Sequence, residues 1–309
     1  MKNHKIQASI DMIISKTFSG LNMNALKYLL PMWMSPITGV TFRVVFGAIA
    51  FWIIGLFMKE QGEVSKKDIL AMFLLGAIGI YGFMMTYLVG LSYTTPVSSS
   101  IILALIPIWV FIISLFRHTE SLTWLKGIGM IVGLGGAMLS MVSKRDPALA
   151  SHPFLGDSIT LISSVIYAGY LIYSHILLKK IGIYTLLKWT FTGASFSAIL
   201  INMFCGFDAK VLSLPLHLTP ILALLFVLIF PTVVSYLLLP YGLKYLKTTV
   251  VAMYGYIIIV VATIAALLLG QDKFNWMQVF SILFLCVGVY LVEAAESKDK
   301  SKTPTTHNS

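Results

Sequence analysis

Apolar runs of about twenty residues, the length that crosses roughly 30 Å of hydrocarbon, recur along this chain with short polar breaks between them. They predict ten helices, near residues 6–26, 34–58, 69–91, 97–116, 122–143, 154–178, 181–204, 219–240, 248–270 and 275–294. The break at 144–153, which holds Asp146, Pro147 and His152, separates the fifth helix from the sixth and marks a seam between two halves. After Glu293 the chain turns to Ser, Lys and Thr, which cannot bury apolar surface, so residues 297–309 are expected to form a disordered tail.

The same pattern occurs twice. Residues 90–139 return without a gap as residues 242–291, an offset of 242 − 90 = 152. Gly90, Leu91, Tyr93, Ile106, Leu115, Trp124, Gly136 and Leu139 are matched by Gly242, Leu243, Tyr245, Ile258, Leu267, Trp276, Gly288 and Leu291, and Glu120 is answered by Asp272. Each copy runs from a Gly-Leu-x-Tyr corner through an apolar stretch to an acidic residue, a Trp four positions later and a second apolar stretch. The expected organisation is one repeat over residues 1–146, a second over 147–296, and the tail.

Composition agrees with a bilayer as solvent: 58% of residues are hydrophobic and only 11% are charged, against roughly a quarter charged in soluble domains. The net charge of +10 does not point to nucleic acid, because no basic cluster lies on a polar helix face. It reads instead as topology. With the N-terminus inside, the inner breaks and ends carry Lys2, Lys5, Lys59, Lys66, Lys67, Arg117, Lys126, Lys179, Lys180, Lys244, Lys247, Lys298, Lys300 and Lys302. The outer ones carry only Lys27, Lys144, Arg145, Lys210 and Lys273. This asymmetry predicts both termini in the cytoplasm. Five helices per half is an odd number, so the two copies enter the membrane in opposite senses. The fold class expected is an all-α membrane protein of ten transmembrane helices in two inverted five-helix repeats.

Ser35-Pro36-Ile37-Thr38 followed by Arg43, Pro107 in the fourth helix, Glu120-Ser121-Leu122-Thr123-Trp124 leading to Gly127, Gly129 and Gly136, and the echo Gln271 to Trp276 with Gly288 resemble the drug/metabolite transporter superfamily. Within it the chain is similar to the EamA-type ten-helix transporters over nearly its whole length. The resemblance implies a cavity between the repeats and export of small metabolites or amino acids without ATP, from a bacterial-type inner membrane. Two positions depart from the family pattern. A Trp-Gly common in its first helix is Ser19-Gly20 here, and Asp272 replaces a Glu; the first departure touches the cavity.

The residues that could carry chemistry lie on two helices. In the first, Ser9, Ser15, Lys16, Ser19, Asn22 and Asp11 fall on one arc at about 100° per residue, opposite Ile6, Ile10, Ile13, Ile14 and Leu21. In the sixth, Asp157, Thr160, Ser163, Ser164, Tyr167, Tyr170 and Ser174 share an arc. If the repeats are inverted, these faces confront each other. Lys16 sits mid-helix, where a charge costs at least about 2.5–3.5 kcal/mol, so it needs a partner or water. That partner is either a substrate carboxylate or an internal acid. Arg43, close to the start of its helix, reads as a structural anchor, and Asp11 and Asp157 read as solvated helix ends. Tyr81, Tyr87, Tyr236, Tyr254 and Tyr256 could line a cavity or anchor the membrane interface. Pro107 and Pro231 interrupt their helices.

The candidate substrate-binding set is therefore Lys16, Ser19, Asn22, Tyr81, Tyr87, Ser164, Tyr167, Tyr236 and Tyr254. No phosphate-cradling loop is present, the six histidines show no metal-ligand spacing, and Cys205 and Cys286 lie in apolar stretches, so neither a cofactor, a metal nor an enzymatic activity is expected. The function expected is a secondary transporter exporting a small polar or amphipathic metabolite by alternating access, as a monomer or homodimer in the lipid bilayer. Efflux of drugs or organic cations is the alternative within the class; a membrane-embedded enzyme or a receptor is the alternative outside it.

Overall fold

Some helices in this chain begin where a hydroxyl replaces the missing intrahelical acceptor. Ser35 Oγ accepts the Thr38 amide at 3.2 Å with Pro36 in the first turn, and Thr95 Oγ1 accepts the Ser98 amide at 3.3 Å with Pro96 beside it. Glycines in the left-handed region end two others, Gly206 at φ 80° and Gly270 at φ 66°. The computed structural model describes residues 2–30, 32–58, 64–117, 123–142, 146, 148–246 and 248–302. Its helices are α1 (Lys2–Leu29), α2 (Pro36–Phe57), α3 (Lys66–Tyr93), α4 (Pro96–Phe116), α5 (Trp124–Val142), α6 (Pro153–Leu177), α7 (Ile183–Cys205), α8 (Leu218–Tyr245), α9 (in two pieces, Thr248–Met253 and Gly255–Leu268) and α10 (Trp276–Lys302). No strand occurs among the described residues.

Six of these helices are long and apolar enough to cross a membrane, and α5 and α10 contain shorter apolar segments. The helices present large apolar side chains outward: Phe57 is 81% exposed and Trp124 86%. That surface suits hydrocarbon and the membrane interface. The apolar arc of α1 behaves as its pattern predicts, since Ile6, Ile10, Ile13, Ile14 and Leu21 are all exposed while Ser15, Lys16 and Asn22 are buried.

The 152-residue offset extends to the element bounds. Shifting 66–93 by 152 gives 218–245, shifting 96–116 gives 248–268, and 124 becomes 276. Both α3 and α8 contain a π-helical turn, Leu75–Gly82 and Leu228–Val234, in the same part of the helix. Packing follows the same exchange. α1 lies on α8 and α9, as α6 lies on α3 and α4; α2 touches α8, as α7 touches α3. The pairs α2 with α7 and α5 with α10 map onto themselves. In both pairs the helices run antiparallel: Trp52 meets Thr192 while Thr41 meets Asn202, and Gly133 approaches Gly288 while Gly136 approaches Ser281. The accepting carbonyls of two helix-end contacts also correspond, although their donors do not share the offset. Lys27 Nζ donates to the Leu91 carbonyl at 3.2 Å, and His175 Nδ1 donates to the Leu243 carbonyl at 2.8 Å, with 243 − 91 = 152.

Three expectations from sequence differ from the structure. Asp157 is fully buried rather than solvated, because the Thr94-Thr95-Pro96 corner folds over the start of α6; Thr94 Oγ1 and Ser98 Oγ donate to its Oδ1 at 2.6 and 2.8 Å. Asp11 is also buried, and Gln7 Nε2, one turn away, donates to it at 2.9 Å. Finally, α10 continues to Lys302 past residue 297, as the good helix formers around Glu293-Ala294-Ala295-Glu296 permit; residues 303–309 lie outside the described residues.

Candidate functional site

Between the two halves lies a small cavity of about 60 Å³. α1 contributes Ser15, Lys16, Ser19, Asn22 and Met23, α2 contributes Arg43, α3 contributes Phe83 and Tyr87, and α6 contributes Tyr167 and Leu171. Pro231, Ser235, Tyr236 and Leu239 come from α8. The remaining wall consists of interruptions in helices. Leu103 and Ile106 flank the break in α4, where Pro107 cannot donate a backbone hydrogen bond, and Ala252 and Gly255 flank the break in α9. Irregular backbone at membrane depth is tolerated where it borders a cavity, since backbone polar groups freed from the helix then have somewhere to turn.

Lys16 is 4% exposed, and its ammonium stands 5.7 Å from the centre of the Tyr167 ring, so the polar arcs of α1 and α6 do meet. No carboxylate among the described residues lies within ion-pair distance of Lys16, and none lines the cavity. Asp11, the nearest acid in sequence, is engaged by Gln7 instead. The α1 wall is held in place by a reciprocal pair: Ser15 Oγ donates to the Ser235 carbonyl and Ser235 Oγ to the Ser15 carbonyl, each at 3.2 Å.

Arg43, 3% exposed, is oriented by a chain of causes that starts in α8. Pro231 has no amide hydrogen, so the Val227 carbonyl four residues earlier lacks the donor that an α-helix would give it, and the helix widens into a π-helical turn. Thr232 Oγ1 donates to that carbonyl at 2.8 Å. The same oxygen accepts from Arg43 Nε at 3.0 Å, leaving the other guanidinium N–H groups to point elsewhere. Tyr87, Tyr167 and Tyr236 line the same cavity as Arg43.

Of the residues singled out from sequence, Lys16, Ser19, Asn22, Tyr87, Tyr167 and Tyr236 converge on this cavity. The other three lie elsewhere. Tyr81 is buried within the π-helical turn of α3, Ser164 donates to the Leu161 carbonyl of its own helix at 2.7 Å, and Tyr254 packs at the edge of the main core. Arg43, read from sequence as a structural anchor, and Ser235, which was not among the candidates, also line the cavity. A cation in an otherwise apolar helix was the available signal for Arg43; nothing in the linear sequence distinguished Ser235 from other membrane serines.

The model of the EamA-like transporter family matches this chain twice, over residues 8–142 and 154–294, and the chain belongs to that family. It is 23% identical over 274 residues to the uncharacterized transporter YyaM of Bacillus subtilis (strain 168), covering 88% of each chain. It is 26% identical over 283 residues to an uncharacterized transporter of Archaeoglobus fulgidus, covering 92% of this chain and 97% of the relative. A solved crystal structure matches with a TM-score of 0.62 at 16% identity, covering 98% of this chain and all of the other, a likeness of fold alone. Family and apolar helices together make this an integral membrane protein of the transporter type.

Proposed function

We propose that the chain is a secondary transporter that exports a small carboxylate-bearing metabolite by alternating access, and that it is not an enzyme. The observation that carries this reading is Lys16: a buried cation on a cavity wall between the halves, with no carboxylate beside it. A charge in that position is stable only with a counter-charge or water, and a substrate carboxylate supplies the former. Asn22 and Ser19 on the next turns of α1, with Tyr87 and Tyr236 opposite, offer neutral hydrogen-bonding groups for the rest of the molecule.

Alternation needs two packings of similar energy, and an inverted repeat provides them. We read the chain as ten spans, 1–146 against 147–296, related by a two-fold axis in the membrane plane, with both termini in the cytoplasm. The shared 152-residue offset, the antiparallel pairs α2 with α7 and α5 with α10, and the charge asymmetry of the sequence support this arrangement. Efflux of organic cations fits less well, because Lys16 and Arg43 would repel them. The test is substrate flux by the purified chain in sealed vesicles. Flux of a carboxylate metabolite that is lost in Lys16→Met is expected; binding without flux would indicate a receptor instead.

A further inference from the structure

We propose that Arg43 is the second anion-binding group of this cavity, and that the preferred cargo carries two acidic groups, one held by Arg43 and one by Lys16. This rests on the transporter reading above and narrows its substrate class from carboxylates to dianions.

Arg43 and Lys16 are both buried and both line the cavity, and among the described residues no carboxylate joins them there. A guanidinium remains protonated in any protein environment and has five N–H donors. Only Nε is engaged, by Thr232 Oγ1, and its terminal nitrogens have no hydrogen-bond partner among the described residues. A structural anchor would spend these donors on backbone carbonyls or an acid. Here the planar fork, which suits carboxylate or phosphate oxygens, belongs to a residue that lines the cavity together with Tyr87 and Tyr236. Two polar groups of the same walls also lack partners: the Tyr87 hydroxyl and Asn22 Oδ1, in residues only 2% and 5% exposed. Buried polar atoms are ordinarily paired, so the Tyr87 hydroxyl is left to donate to an anionic ligand, while Asn22 Oδ1, an acceptor, is left for a donor group elsewhere on the cargo.

Charge balance then selects the cargo. A monoanion neutralises one of the two cations and leaves the other buried and uncompensated, whereas a dianion neutralises both. A dicarboxylate and a phosphate monoester share this chemistry, the latter carrying about −1.5 to −2 at neutral pH.

The experiment measures binding to the purified full chain in lipid nanodiscs at constant ionic strength. The probes are succinate, glutarate and glycerol phosphate as dianions, and butyrate and pentanoate as monoanions. At least one dianion is expected to bind about 10-fold or more tighter than the matched monoanions, since a hydrogen-bonded charged contact is worth on the order of that factor. The dicarboxylate and phosphate arms reveal which source fits. Arg43→Gln should erase the preference by weakening dianions about 10-fold while changing monoanions far less. Arg43→Lys, which keeps the charge but not the fork, should fall between, and serves if the Gln variant does not fold. Equal binding of monoanions and dianions, or an unchanged preference in Arg43→Gln, overturns the proposal while leaving the carboxylate-transporter reading intact. If no anion of either kind binds, both fall.

Discussion

Gly136 of α5 and Gly288 of α10, 152 residues apart, are each seated against the other's helix at corresponding atoms. A Cβ on Gly136 would stand 2.9 Å from the Ser281 carbonyl oxygen and the Leu285 amide; one on Gly288 would stand 2.6 Å from the Gly129 oxygen and 2.4 Å from the Gly133 amide. Since 281 − 129 and 285 − 133 are both 152, each glycine meets atoms of the other helix that lie at the same offset.

This closeness has a measurable consequence. Gly288→Leu or Gly136→Leu drives a side chain into backbone, which cannot swing aside, so a loss of about 3 kcal/mol or more is expected. Gly127→Ala and Gly135→Ala, where a Cβ meets nothing within 4 Å, should be neutral or slightly stabilising. Thermal unfolding of the four variants in detergent checks this; a wild-type melting temperature for Gly288→Leu would contradict the packing.

Thr232 links the gap left by Pro231 to the guanidinium of Arg43. Thr232→Val keeps the shape and removes the shared oxygen, so KM for transport should rise by about 10-fold or more, the weight of a hydrogen bond to a charged group. Thr232→Ser should restore it. Equal KM in the Val variant would mean that the bond does not orient Arg43.

Lys16→Met should leave folding and membrane insertion intact while abolishing flux, because removing a cation that has no carboxylate beside it relieves a desolvation cost. Melting temperature and flux on the same preparation decide it. Destabilisation by several kcal/mol, rescued by a second substitution at an Asp or Glu, would reassign Lys16 to the scaffold.

Reporter fusions after Lys302 and within residues 144–153 check the orientation. A cytoplasmic reporter is expected to be active at the first site and a periplasmic one at the second. Periplasmic activity at the C-terminus would reverse the topology.

In the loops, Lys273 Nζ meets Asp146 Oδ2 at 2.7 Å. The ammonium, and behind it the Ala148 amide, hold the Asp146 carboxyl below its usual range. A depressed carboxylate stabilises the fold above its unfolded value of about 4 and loses that contribution as the pH falls through the lower folded value. Lys273 is shifted upward by the same contact and so stabilises below its unfolded value of about 10.4, until the pH rises through the higher folded one. The melting-temperature gap between wild type and Asp146→Asn should thus be small, constant from about pH 5 to 9, and shrink below about pH 4. A gap that widens on acidification would contradict the sign.

The family, the helical course and the polar arc of α1 were legible in the sequence, because each rests on local period and length. A bilayer demands about twenty apolar residues per helix, and a polar arc can be read at 100° per residue without knowing its neighbours. The pairing of Gly136 with Gly288 positions was visible too, as an offset, though not as a contact. What only the tertiary structure decided is which polar residues share a space. Lys16 and Tyr167 could be anticipated as partners from the two arcs, but Arg43 belongs to the cavity through Thr232, 189 residues away in the chain. Ser164 and Tyr81, indistinguishable by type from the residues that do line it, are turned to their own helix or buried beyond it. The reason is physical: a residue's place on a helix face follows from its neighbours in sequence, whereas the electrostatic environment of a buried charge is set by whatever other helices bring within a few ångströms.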